Sequence, residues 1–150
     1  GSTVYANNYK ESHIRSWLND NFYNTAFNNE EKARILTTTV DNSAASTGDI
    51  PNNYACANTS DQVFLLSYAE ATSETYGLST TTARQLQPSA YAQSQGVGTY
   101  TSNGNSYWWL RSPVSSYAYI ARYVYDDGRV FYSNVNYSNY GVVPALWISL

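Results

Sequence analysis

Apolar positions near the start of the chain recur at helical spacing. Ile14, Trp17, Leu18 and Phe22 stand at i, i+3, i+4 and i+8, the stripe of one helix face. Ser12 precedes them as a capping residue, so a helix is expected over Ser12–Phe22. Asn28 stands three residues before Glu31 in a capping-box pattern, and Ala33, Ile35 and Leu36 give a second short helix its apolar contacts. Asn42 to Thr59 is rich in Ser, Asn, Ala and Gly and reads as a long surface loop. Gln62 to Ser67 (QVFLLS) reads as a buried strand, and Ser67 with Glu70 repeats the capping-box pattern before a helical turn. Thr72 to Asn105 has few large apolar residues and is expected to be irregular, with a short helix around Thr82 to Leu86. Tyr107 to Leu110 (YWWL) reads as a strand ended by Arg111-Ser112-Pro113. Tyr117 to Tyr125 and Arg129 to Tyr132 read as a hairpin turning at Asp126-Asp127-Gly128. Val142 to Leu150 reads as a closing strand, with Pro144 at an edge or bulge. Helices precede most strands, which is the α+β order: two helices, a mainly antiparallel sheet and long irregular loops.

The length of 150 residues fits one domain with a single sizeable core. Charged residues are only 13% of the chain, about half the usual share. The polar surface must therefore come from Asn, Ser, Thr and Tyr. Net charge is −3, with Lys only at Lys10 and Lys32 and six scattered Arg. Phosphate neutralisation needs clustered cations, so no nucleic-acid partner is expected. No apolar run has the length of a membrane span. Gly1-Ser2 reads as a cloning remnant, which leaves room for native sequence ahead of it. Cys56 is the only cysteine and His13 the only histidine, so an internal disulfide is ruled out. Cys56 reads as inert and His13 as a surface residue.

Candidate chemistry concentrates in Val114 to Tyr140. These 27 residues hold seven of the 16 tyrosines, with four serines and three asparagines. Tyrosine supplies rigid contact area with a polar tip, and Ser and Asn supply adaptable hydrogen bonds, as in antibody-type binding surfaces. Tyr117, Tyr119, Tyr123 and Tyr125 alternate with Ala118, Ile120 and Val124. The alternation predicts an exposed aromatic face and a small aliphatic core face. The competing reading packs these rings in a Tyr-rich sheet.

Five segments carry a resemblance. They are Ser12-x-Ile14-Arg15-x-Trp17-Leu18-Asn19, Phe22-Tyr23-Asn24-Thr25-Ala26-Phe27, Asp61 to Ser67 (DQVFLLS), Trp108 to Pro113 (WWLRSP) and Gly141 to Trp147 (GVVPALW). Together they resemble the variable proteins of diversity-generating retroelements of phages and bacteria, which use a C-type-lectin-like fold. The resemblance implies one C-type-lectin-like ligand-binding domain over residues 1–150, displayed on a virion tail or a bacterial cell surface. Its partner would be a protein or glycan on a target cell. In that family adenines of a template, largely in Asn codons, are randomised. Such codons never reach Lys, Glu, Gln, Met or Trp. Residues 114–140 contain none of these five types, whereas sixteen occur in the other 123 residues. Their absence by chance is on the order of a few per cent from composition alone.

The resemblance divides the stretch into two sets. Ala121, Val124, Gly128, Val130, Val135 and Gly141 match fixed scaffold positions. Ser115, Ser116, Tyr117, Tyr119, Arg122, Tyr123, Tyr125, Phe131, Tyr132, Ser133, Asn136, Tyr137, Ser138, Asn139 and Tyr140 match diversified, ligand-facing positions. One departure is Val143, where many relatives carry Arg. The fold is shared with formylglycine-generating enzymes, whose chemistry needs paired cysteines that a lone Cys56 cannot supply. No catalytic residues are therefore expected. Asp126-Asp127 is explained by the hairpin turn rather than by calcium, which takes six to eight oxygens. No metal or cofactor is expected. Arg111, beside Trp108 and Trp109, is expected to be a structural hydrogen-bond donor, and Trp108 and Trp147 are expected in the core. Two other classes remain open: a carbohydrate- or small-molecule-binding module, and a structural domain of a larger surface or tail protein.

Overall fold

The computed structural model describes residues 4–150; Gly1-Ser2 lies outside the described residues. The chain mixes short helices with two antiparallel sheets. Ser12 caps α1 (His13–Trp17) by accepting from the Arg15 amide, as expected. The helix then widens into a π-turn over Leu18–Phe22 before resuming as α2 (Tyr23–Ala26). α3 (Asn29–Arg34) starts with the expected capping box of Asn28 and Glu31. β1 (Thr38–Val40) pairs with β2 (Thr59–Asp61), and between them lies α4 (Ala44–Thr47). α5 (Tyr68–Ala71) opens with the expected Ser67–Glu70 box. α6 (Thr81–Arg84) matches the expected short helix, and α7 (Ala90–Ser94) was not foreseen. β3 (Trp108–Pro113), β4 (Ile120–Val124) and β5 (Val130–Asn134) form the second sheet in chain order.

β3 divides the interior. Trp109 leans toward a core of Tyr9, Leu18, Val63 and Leu65, while Trp108 and Leu110 join Ala71 and Val124 in another. Strands buried on both faces read as continuous apolar runs, which is why YWWL shows no alternation. The register then shifts between Trp109↔Tyr123 and Pro113↔Ala121, so that Leu110, Arg111 and Ser112 lie across from Arg122 alone. The hairpin turns at Asp126-Asp127-Gly128 as expected. Gly128 has φ +85, and a Cβ there would sit 1.8 Å from the Thr81 carbonyl oxygen, so the turn admits only glycine.

Several expectations need correcting. QVFLLS is buried at Val63, Phe64 and Leu65 but is not a ladder strand. Side chains occupy its backbone groups. Asn19 Oδ1 accepts from the Gln62 and Val63 amides, Asn19 Nδ2 donates to the Val63 carbonyl, and the Tyr9 hydroxyl accepts from the Leu65 amide. Only Phe64 bridges another strand-like segment, at Ala145. The closing segment Val142–Leu150 likewise makes single bridges, Phe64↔Ala145 and Ile35↔Ile148, and no continuous strand. The first hairpin strand starts at Ile120 rather than Tyr117, because Ser115–Tyr119 is held in a loop. Asn42–Thr59 is a surface loop only in part: it holds α4, and buried residues are interspersed with exposed ones such as Ile50, Pro51 and Asn53. Asn42, Ser46, Thr47, Asn52 and Thr59 are buried, and Asn52 Nδ2 donates to the Pro113 carbonyl at 3.0 Å. Polar composition signalled exposure there, but buried polar groups are tolerated when hydrogen-bonded.

Candidate ligand-binding site

The sheet brings the tyrosines together from three directions. β4 contributes Tyr123 and then Tyr125, Phe131 faces them from β5, and Tyr140 comes from the segment that returns past β3. Tyr123 lies 4.7 Å from Tyr140 and 6.0 Å from Trp109 between ring centres. Tyr107 stacks on Tyr125 at 5.0 Å, and Tyr125 meets Phe131 at 5.5 Å. Tyr137 stacks on Tyr140 at 5.6 Å with planes 9° apart, and Tyr140 meets Trp109 at 4.8 Å. Tyr117 and Tyr119 form a separate pair at 5.6 Å.

Burial separates the fifteen predicted ligand-facing residues. Ser115, Ser116, Tyr117, Tyr119, Phe131, Tyr132, Asn136, Tyr137, Ser138 and Asn139 are exposed. Arg122, Tyr125, Ser133 and Tyr140 are half-buried, and Tyr123 is buried. Tyr123 therefore does not belong to an exposed aromatic face, since Trp109, Tyr140 and Phe131 close over its ring. Alternation puts Tyr123 on the tyrosine face but does not reveal the rings that cover it. We expect Tyr123→Ala to lower stability by about 2–3 kcal/mol, somewhat less than a rigid core ring, because mobile neighbouring rings can close the gap. A combined Tyr117→Ala, Tyr132→Ala and Tyr137→Ala variant is expected to melt within a few degrees of the parent protein. Thermal melts of both variants check the pair, and equal losses would contradict this division.

Arg122 is tied down. Its Nη2 meets Asp49 Oδ1 at 2.6 Å, its Nε donates to the Thr47 carbonyl at 2.8 Å, and its guanidinium lies over the Tyr68 ring. Asp49 Oδ2 also accepts from the Ser115 amide at 2.8 Å. One carboxylate thus holds both the β4 strand and the start of the exposed loop. Asn7 supports the same loop from the other side: its backbone amide donates to the Ala118 carbonyl and its Nδ2 to the Tyr117 and Ile120 carbonyls. Sequence reading missed Asn7 and Asp49, because nothing local marks a residue whose partners lie more than sixty positions away.

A cleft of about 870 Å³ opens between the Val4–Ile14 segment and the Val135–Val142 segment. Its aromatic wall is Trp109, Tyr137 and Tyr140, and its opposite wall includes Tyr5, Glu11 and His13. His13, read as a plain surface residue, is exposed but lies on this cleft. Arg111 reaches the cleft with a side chain only 2% exposed, committed to Glu70, the Leu65 and Asp41 carbonyls and Asn42, in the donor role expected of it. Asp127 accepts from the Arg129 amide and guanidinium, as a turn residue does. Among the described residues no three His, Cys, Asp or Glu side chains gather closely enough to hold a metal ion, and no helix is long and apolar enough to cross a membrane.

Partial burial and neighbouring phenols raise the phenol pKa values of the aromatic layer's tyrosines. Burial pushes Tyr107 up to about 12, with the neighbouring Tyr125 phenol adding to it. Burial and then Tyr140 raise Tyr123 further. In the adjoining core, burial pushes Tyr9 up to about 12. Unfolded tyrosines ionise near ~10. With folded values raised, this contribution to stability is complete below about pH 10 and is lost as pH rises from there toward about 12. We therefore expect the melting temperature to fall steeply across that window, and less steeply in Tyr123→Phe. A level alkaline limb would place these rings in water.

The chain matches the family described as DUF6273, a domain of unknown function, over residues 2–150. It belongs to the DUF6273 family. Neither curated proteins nor solved structures give a match. Within this DUF6273 domain, Val143 stands where the resemblance of its closing motif calls for Arg. It packs instead against the core of Trp108, Leu110 and Val124. An apolar contact occupies that place.

Proposed function

We propose that this DUF6273 domain is a hypervariable ligand-binding domain with C-type-lectin-like architecture, diversified by a retroelement and acting by recognition rather than catalysis. Its partner is a protein or glycan on a target cell surface, and its own place is a virion tail or a bacterial cell surface. The observation that carries this reading is the match between burial and alphabet in residues 114–140. The six positions read as fixed scaffold, Ala121, Val124, Gly128, Val130, Val135 and Gly141, are all buried or half-buried. Ten of the fifteen read as diversified are exposed. A surface open to random substitution must leave the core untouched, because core changes cost several times more stability than surface ones. The missing Lys, Glu, Gln, Met and Trp in the same stretch fit substitution through Asn-type codons.

Sequencing sibling loci tests the reading. Substitutions are expected to concentrate at the exposed positions between Ser115 and Tyr140 and to spare the six scaffold positions. Substitutions spread evenly over the 150 residues would defeat it.

A further inference from the structure

We propose that the cleft between the Val4–Ile14 and Val135–Val142 segments is a subsite for an uncharged saccharide ring. The inference rests on the binding role of Tyr137, Ser138 and Tyr140 and gives that surface a ligand chemistry. The cleft, at about 870 Å³, is of the size that holds a compact ligand of one or two rings. One wall is a stack of rings: Tyr137 lies parallel on Tyr140 with planes 9° apart, Tyr140 meets Trp109 at 4.8 Å, and Tyr137, the most exposed of the three, ends the stack. The free face of such an end ring receives the C–H face of a pyranose. Hydrogen-bonding groups surround it. The side chains of Glu11, His13 and Ser138 line the cleft and make no hydrogen bond among the described residues. They offer carboxylate, imidazole and hydroxyl partners to ring hydroxyls.

Charge decides the class of sugar. Arg111 is the one arginine on the cleft, and its donors are already given to Glu70, Asn42 and two carbonyls. No lysine lines the cleft. With Glu11 at the rim and a net charge of −3, a carboxylated or sulfated ligand would meet repulsion and find no free cation. An apolar ligand would leave Glu11, His13 and Ser138 without partners on its side. A neutral polyol with one flat apolar face satisfies both walls.

Saturation-transfer NMR tests this at millimolar sugar. The probes are glucose, galactose, N-acetylglucosamine, N-acetylgalactosamine and lactose, with N-acetylneuraminic and glucuronic acids as anionic arms. At least one neutral sugar is expected to bind. Its affinity should fall roughly three- to tenfold in Tyr137→Ala, stay within about twofold in Tyr137→Phe, and be unchanged in Tyr91→Ala, an exposed tyrosine of α7 away from the cleft. Tyr137 and Tyr91 are both exposed, so these variants keep the fold, and a thermal melt of each verifies it. Binding by none of the neutral sugars, stronger binding of the anionic ones, or equal binding by the parent protein and Tyr137→Ala would overturn the proposal. None of those results touches the pattern of sibling substitutions, so the sugar subsite can fail while the variable-surface reading stands.

Discussion

Arg111→Ala is expected to destabilise the protein by about 3–5 kcal/mol, the loss seen when one partner of a buried ion pair is removed. Three separate parts of the chain meet on this guanidinium. Nη1 pairs with Glu70 and donates to the Leu65 carbonyl at 2.6 Å, Nη2 donates to the Asp41 carbonyl at 2.9 Å, and Nε donates to Asn42 Oδ1 at 3.1 Å. Glu70 also accepts from the Ser67 amide at the head of α5, so the same carboxylate serves a helix cap. Removing the fork strands Glu70 and leaves two carbonyls and an amide oxygen in a nearly dry site. Arg111→Lys is expected to recover only part of the loss, because one ammonium cannot span the fork's separated acceptors. Urea unfolding measures both. A change below about 1 kcal/mol for Arg111→Ala would mean that water replaces the fork without penalty.

The same residue marks where sequence reasoning reaches its limit. Its donor role could be read from an arginine placed between two tryptophans and a proline, but its partners could not. Asn42 and Glu70 lie in segments read as a loop and a helix start, and Asp41 just precedes that loop. Most local signals were legible: Ser12, Asn28 and Ser67 cap helices, and Asp126-Asp127-Gly128 turns the hairpin, because each depends on neighbours within a few residues, though the Ser89 cap of α7 went unread. Non-local satisfaction was not legible. The apolar run at Val63–Leu65 looks like any buried strand, yet Asn19, Tyr9 and Arg111 take the place of a neighbouring strand.

The candidate surface was read with the same asymmetry. Period-2 alternation puts Ala118, Ile120 and Val124 on the core face, where Val124 is buried and Ala118 and Ile120 are half-buried, but Ala121 on the tyrosine face is buried too. Alternation cannot reveal that Tyr140, returning past β3, and Phe131, across the ladder on β5, cover Tyr123. Nor does it reveal that Arg122 reaches Asp49, more than seventy residues earlier in the chain. The exposed loop Ser115–Tyr119 owes its pose to Asn7 and Asp49, residues that lie outside 114–140. On the proposed reading such outside struts let the loop geometry survive substitution of the loop's own side chains.

Tryptophan gives the sharpest contrast between sequence and structure. Trp108 and Trp147 sit in the two most distinctive motifs of the chain, and apolar character alone predicts both in the core. Trp108 is 3% exposed, packs with Leu110 and Val124, and donates from Nε1 to the Arg84 carbonyl at 3.1 Å. Trp147 is 46% exposed and touches Tyr76 edge-on, while its segment is held through the backbone, with the Leu36 amide donating to the Trp147 carbonyl. Burial is a one-way rule, because much of any protein surface is apolar, so a motif tryptophan need not be a core tryptophan. Trp108→Ala is therefore expected to cost about 3–5 kcal/mol, through the lost ring, the cavity it leaves and the unpaired Arg84 carbonyl. Trp147→Ala is expected to cost less than about 1 kcal/mol, because its ring has little to lose and its backbone bond survives. Chemical denaturation of the two variants side by side reads the difference. Comparable losses would mean that the face bearing Trp147, Ile148 and Leu36 is covered in the working protein.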